Sequence, residues 1–128
     1  MALLVDVQKK DEGNFTVSLS GSLDSTTYSQ CQEKMKGVFS QPVRSLVINM
    51  QGLSYISSMG VSTILNARKS AEQKGAAFVM TNLKPQIKAV FDIIKALPDV
   101  CVFENMEEAD RYLTQMQKKA IESEDNSA

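Results

Sequence analysis

The stretch Leu46-Val47-Ile48-Asn49-Met50-Gln51-Gly52-Leu53-Ser54-Tyr55-Ile56-Ser57-Ser58-Met59-Gly60-Val61 decides how this 128-residue chain is read. It opens on three consecutive aliphatic residues, as a central strand buried on both faces does. It closes on two hydroxyls just ahead of a helical pattern, Val61, Ile64, Leu65 and Arg68. A serine there caps free backbone N–H groups, and a cap is the simplest reading of Ser57-Ser58. The same N–H groups and the helix dipole also receive phosphate, so a phosphoserine there is electrostatically tolerated. Gly60 in the first turn lets another backbone approach closely, at some cost in helix propensity.

Working outward, Gly75 after Lys74 stops the helix. Ala76 to Met80 reads as another buried strand. Ile87, Val90, Phe91 and Ile94 then recur at helical spacing, framed by Pro85 and Pro98. Val100, Val102 and Phe103 predict a short last strand, and Met106, Ala109, Leu113 and Met116 a final helix. Upstream, Tyr28, Cys31, Met35 and Val38 predict a helix that frays near Gly37 and is blocked by Pro42. Phe15, Val17 and Leu19 alternate with Thr16, Ser18 and Ser20 in a strand ended by Gly21. Leu3, Val5 and Val7 alternate before it, and Asp11-Glu12-Gly13-Asn14 closes the two into a hairpin.

The order is therefore β-β-α-β-α-β-α-β-α, an α/β fold. Its mixed sheet has about five strands, mostly parallel after the N-terminal hairpin, and about four α-helices cover it. One layer of helices is expected. One domain spans 1–119, and 120–128, with three acids, reads as an acidic disordered tail. Three loops would share the carboxyl end of the sheet, where sites lie: Gly21 to Ser25, Asn49 to Gly60, and Thr81 to Lys84. Asp24 reads as the N-cap of the helix starting near Thr26, and Lys84 as a solvated residue before Pro85. The seven methionines read as packing.

Composition excludes several classes. Lys+Arg number 14 and Asp+Glu 15, a balance unlike that of a nucleic-acid module. There is no histidine, so serine–histidine and cysteine–histidine catalysis are excluded. Cys31 and Cys101 stand far apart and outside any CxxC pair, so each reads as a small buried hydrophobe in a reducing compartment rather than a metal ligand. No Walker-type loop supports nucleotide binding. Asp6 interrupts the first apolar run too early for a signal-peptide core, and no stretch reaches the ~20 apolar residues of a membrane span. A cytoplasmic, non-enzymatic protein without cofactor or metal and without membrane insertion is expected.

Gly21-Ser22-Leu23-Asp24 between strand and helix resembles the N-terminal signature of STAS domains, and Leu46 to Val61 resembles their central signature. The resemblance covers about residues 3–117, and the element order is that of the family. It implies the STAS fold, and among small stand-alone members an anti-sigma-factor antagonist. In these a serine at the start of the second helix is phosphorylated by a partner anti-sigma factor with serine kinase activity. Unmodified, the antagonist binds that factor and releases a sigma factor; a serine phosphatase restores it. The family pattern there is Asp-Ser-Ser/Thr-Gly. With Gly60 fixing the register, the resemblance implies Ser58 as the phosphorylated residue, with Ser57 at the aspartate position as an alternate acceptor. Met59 takes the second hydroxyl position, and Asn49 replaces an aspartate at the end of the third strand. With two acids missing, a phosphate meets less repulsion. Partner binding is assigned by resemblance to Asp24, Asn49, Ser57, Ser58, Met59 and Gly60. The alternative is a scaffold that assembles with STAS paralogues, or a transporter-associated subunit, neither needing phosphorylation.

Overall fold

A computed structural model describes residues 2–94 and 101–115. Within it run β1 (Leu3–Lys9), β2 (Asn14–Leu23), α1 (Tyr28–Phe39), β3 (Ser45–Ile56), α2 (Ser58–Gln73), β4 (Ala77–Thr81), α3 (Pro85–Ile94) and β5 (Cys101–Phe103). A fourth helix, α4, covers residues 106–115. The readings placed on Pro98, Val100, Met116, the Cys101 side chain and the tail lie outside the described residues.

The five strands form one sheet in the order β1-β2-β3-β4-β5. β1 and β2 are the antiparallel hairpin, closed at Gly13, whose φ of 84° suits glycine. The β2–β3, β3–β4 and β4–β5 pairs are parallel.

The alternation along β3 decides the layers. Leu46, Ile48 and Met50 join the large core under α1, α2 and α3, together with Leu19, Leu23, Ile64 and Phe91. Val47 points the other way, into a smaller core with Val79, Ala109 and Leu113. Ala109 and Leu113 belong to α4, so helices cover both faces of the sheet rather than one. A strand buried on both faces demands this, since each face of Leu46-Val47-Ile48 needs an apolar cover.

Two strand ends also differ from expectation. Gly21 does not stop β2, which runs on to Leu23, and β3 runs on to Ile56. Most of the two expected loops is thus strand. The pair keeps its hydrogen bonding by shifting register between Ser18 and Ser20 and between Gly21 and Ser22. Gly21, at φ 99°, makes the second shift possible. Gly37 likewise lies inside α1, which stops at Ser40; the Ser40 hydroxyl donates to the Gly37 carbonyl at 2.7 Å. The end of α2 is as expected. Gly75 adopts φ 69°, its N–H donates to Glu72, and the Ala76 N–H donates to Ala71 at 2.8 Å, a Schellman closure.

Candidate functional site

Two structural joints meet where β2 and β3 extend past β4. Leu23 pairs with Ile56 at the last rung of the parallel ladder. The Leu23 carbonyl then accepts the N–H of Ser57 at 2.9 Å. Ser57 is the N-cap of α2, with extended backbone (φ −95°, ψ 174°), and its hydroxyl accepts the Gly60 N–H at 3.3 Å. Its carbonyl accepts the Val61 N–H at 2.9 Å. Gly60 is buried beneath Leu23: a Cβ there would lie 2.6 Å from the Leu23 carbonyl oxygen and 2.7 Å from Ile56 Cγ1.

The two adjacent serines thus differ in state. Ser57 is half-buried and committed to the cap, whereas Ser58, the first residue of α2, is exposed. The Ser58 hydroxyl has no hydrogen-bond partner among the described residues, and the N–H groups of Ser58 and Met59 are left over at the helix start, as the first turn of any helix leaves them. A nucleophilic hydroxyl therefore stands in solvent where the helix dipole favours negative charge.

Asp24 lies beside this joint but is not the N-cap of α1. That place belongs to Thr27, which makes no side-chain cap bond. The Asp24 carbonyl accepts the N–H groups of Thr27 and Tyr28, so a separate turn precedes the helix. The Asp24 carboxylate closes that turn, accepting the Thr26 hydroxyl at 2.7 Å and the Thr26 N–H at 2.9 Å. The Thr26 hydroxyl foremost, with the Thr26 N–H, holds the Asp24 carboxyl below the usual carboxylate range. The Thr27 hydroxyl donates to the Ser22 carbonyl at 2.8 Å and accepts the Asp24 N–H at 3.0 Å.

Asn49 sits elsewhere, level with Thr81 where β4 ends. Its side-chain oxygen accepts the Gln51 N–H at 3.1 Å and the Asn82 amide at 3.0 Å. The structure therefore brings Asp24, Ser57, Ser58, Met59 and Gly60 together around the Leu23 carbonyl. It ties Asn49 to the β4 end, seven strand residues before Ser57. The sequence reading passed over Tyr55, whose ring stands 51% exposed at the end of β3. An aromatic two residues before the hydroxyl pair is the available signal, but the order Leu53-Ser54-Tyr55-Ile56 does not say which of these side chains the core covers.

Among the described residues no group of three or more acidic or cysteine side chains could hold a metal, and no helix is long and apolar enough to cross a membrane.

The STAS domain model matches residues 6–109, and the chain belongs to the STAS domain family. BtrV of Bordetella bronchiseptica is 29% identical over 84 residues, 66% of this chain and 72% of that one. The anti-sigma-B factor antagonist of Listeria monocytogenes is 22% identical over 107 residues, 84% of this chain and 93% of that one. Among solved structures, the unphosphorylated anti-sigma factor antagonist SpoIIAA superimposes with a TM-score of 0.73 at 21% identity, over 85% of this chain and 96% of that one. The phosphorylated form of Bacillus SpoIIAA gives 0.67 at 22% identity, over 85% and 99%. These structures share the fold.

Proposed function

We propose that the protein is an anti-sigma-factor antagonist controlled by phosphorylation of Ser58. Unmodified, it binds an anti-sigma factor with serine kinase activity and so frees a sigma factor. Phosphorylation of Ser58 ends that binding, and a serine phosphatase restores it. The single observation that carries this reading is the division of labour between the serines. Ser57 holds the cap, and Ser58 is left exposed and unbonded at a helix N-terminus. A phosphate there adds about −1.5 to −2 charges, which the leftover N–H groups tolerate within this chain but a closely packed partner does not. The relative from Listeria carries the name of such an antagonist, and SpoIIAA occurs in both phosphorylated and unphosphorylated form. Asp24, Ser57, Met59 and the start of α2 form the rest of the partner surface in this reading.

The test is phosphate transfer. The purified chain is incubated with ATP and a serine kinase of the histidine-kinase-like ATPase fold that binds it, then cleaved with trypsin. Cleavage after Arg44 and Arg68 isolates both serines in one peptide. Fragmentation that places a stoichiometric phosphate on Ser58 supports the switch. A peptide that never accepts phosphate, from a kinase that binds the chain, sinks it in favour of the scaffold reading.

A further inference from the structure

We infer that Tyr55 and Met59 form an uncharged apolar anchor for the partner that reads Ser58, and that this partner presents an apolar pocket without a facing charge. This rests on the proposed function and names the chemistry of its interface. Among the described residues six large apolar side chains are exposed, and two of them flank Ser58: Tyr55 at 51% and Met59 at 43%. From Ser45 through Ala67 the chain carries no Asp, Glu, Lys or Arg. Asp24 is the charged residue on the adjoining turn; its carboxylate stays ionised and is held toward its own turn by Thr26.

Both anchors sit on fixed backbone. Tyr55 pairs with Ser22 across the β2–β3 ladder. Met59 lies in a first turn pinned by the Ser57 cap and by the Thr63 hydroxyl, which donates to the Met59 carbonyl at 3.0 Å. Little backbone ordering is left to do on binding, so apolar burial there is offset mainly by the loss of side-chain rotamers. A charged partner face would leave its charge buried and unpaired against this surface, which is costly. The same neutrality sharpens the switch. A phosphate on Ser58 would be desolvated beside Tyr55 and Met59 with no Lys or Arg from Ser45 through Ala67 to offset it.

The experiment titrates the full chain into a purified serine kinase of the histidine-kinase-like ATPase fold that binds the wild type, followed by calorimetry. Tyr55→Ala and Met59→Ser should each weaken binding roughly tenfold or more with an unchanged melting temperature, while Tyr55→Phe stays near wild type. With Asp24→Asn removing the one charge on the adjoining turn, affinity between 50 and 500 mM NaCl should change less than about threefold, since the anchor pairs no charge to be screened. Both substitutions binding like wild type, with Ser58→Asp failing to bind, overturns the anchor and leaves the switch standing. Loss of binding in both, with Ser58→Asp binding normally, supports the anchor and sinks the switch. A tenfold or larger loss with salt overturns the neutral pocket.

Discussion

The carbonyl oxygen of Leu23 accepts the Ser57 N–H at 2.9 Å and lies where a Cβ on residue 60 would come within 2.6 Å of it. One backbone group therefore ties the end of β2 to the start of α2 and forbids a side chain at residue 60. The position of Ser58 relative to Asp24 is set by backbone, on rigid elements. In the proposed switch, this fixed spacing would let a partner that touches both segments read a modification of Ser58.

Gly60→Ala should therefore destabilise the protein. The new methyl meets a carbonyl and Ile56 Cγ1 at under 3 Å, neither of which is a flexible chain end. Overpacking of this kind costs about 1–3 kcal/mol, partly offset by alanine's better helix propensity. Gly37→Ala is the control. It sits inside α1 with nothing within 4 Å of the added Cβ, so it should stabilise by about 0.5–1 kcal/mol. Urea denaturation of both variants should move the midpoint in opposite directions. A neutral Gly60→Ala would mean that the Leu23 contact is looser than described.

Much of this arrangement is legible in the residues themselves. The run Leu46-Val47-Ile48 announced a strand buried on both faces, and Gly60 announced a close backbone approach; both hold. The side of the sheet taken by α4 was not legible. Met106, Ala109 and Leu113 say that a helix has an apolar stripe, not which face receives it. A crossover between parallel strands has a fixed hand, but α4 has no returning strand after it among the described residues, so that rule gives it no side. Gly21 misled for a different reason. A glycine in a strand pattern marks either an end or a bulge, and only the register of β2 against β3 tells which. Asp24 stands one turn too early for a cap because its carbonyl accepts the Thr27 and Tyr28 N–H groups and its carboxylate the Thr26 N–H, which closes a separate turn ahead of α1.

Asp24 should confer stability with a definite pH dependence. Its carboxyl is held below the ordinary value of 3.8, chiefly by the Thr26 hydroxyl. A carboxyl with a lowered folded value contributes stability that is present above the unfolded value and lost as pH falls through the folded one. Asp24→Asn should therefore be less stable than wild type at neutral pH, with the gap closing only in acid below that value. Thermal melts across an acid series measure it. A gap that does not change with pH would assign Asp24 a purely steric role.

Cys31 makes the opposite prediction. Its thiol is fully buried in the core beneath α1, and burial pushes it up to about 11 from the ordinary 9.0. A raised folded value gives stability that is complete below the unfolded value and is lost as pH rises from there through the folded one. Stability relative to Cys31→Ala should be constant near neutrality and fall by on the order of 2–3 kcal/mol in all as pH rises from about 9 through about 11. Chemical denaturation of both proteins across an alkaline series tests this. A difference that stays flat to the highest pH would show that the thiol is not held protonated by the core.

The last prediction separates the two serines by stability and by modification at once. Ser57 accepts the Gly60 N–H, so Ser57→Ala should cost about 1 kcal/mol, the ordinary worth of an N-cap. Ser58 makes no such bond, and Ser58→Ala should leave the denaturation midpoint close to wild type. Phosphorylation should show the reverse order. Ser57→Ala keeps an exposed acceptor on a slightly weakened helix and should still take phosphate, whereas Ser58→Ala should take none and remain locked in its partner-binding form. Ser58→Asp should weaken partner binding, though one carboxylate imitates a doubly charged phosphate imperfectly. A cap and a switch are thus read in different currencies, melting for Ser57 and phosphate for Ser58. Stoichiometric phosphate on the Ser58→Ala protein, with none on Ser57→Ala, would move the acceptor to Ser57 and require the α2 cap to open before the kinase can act.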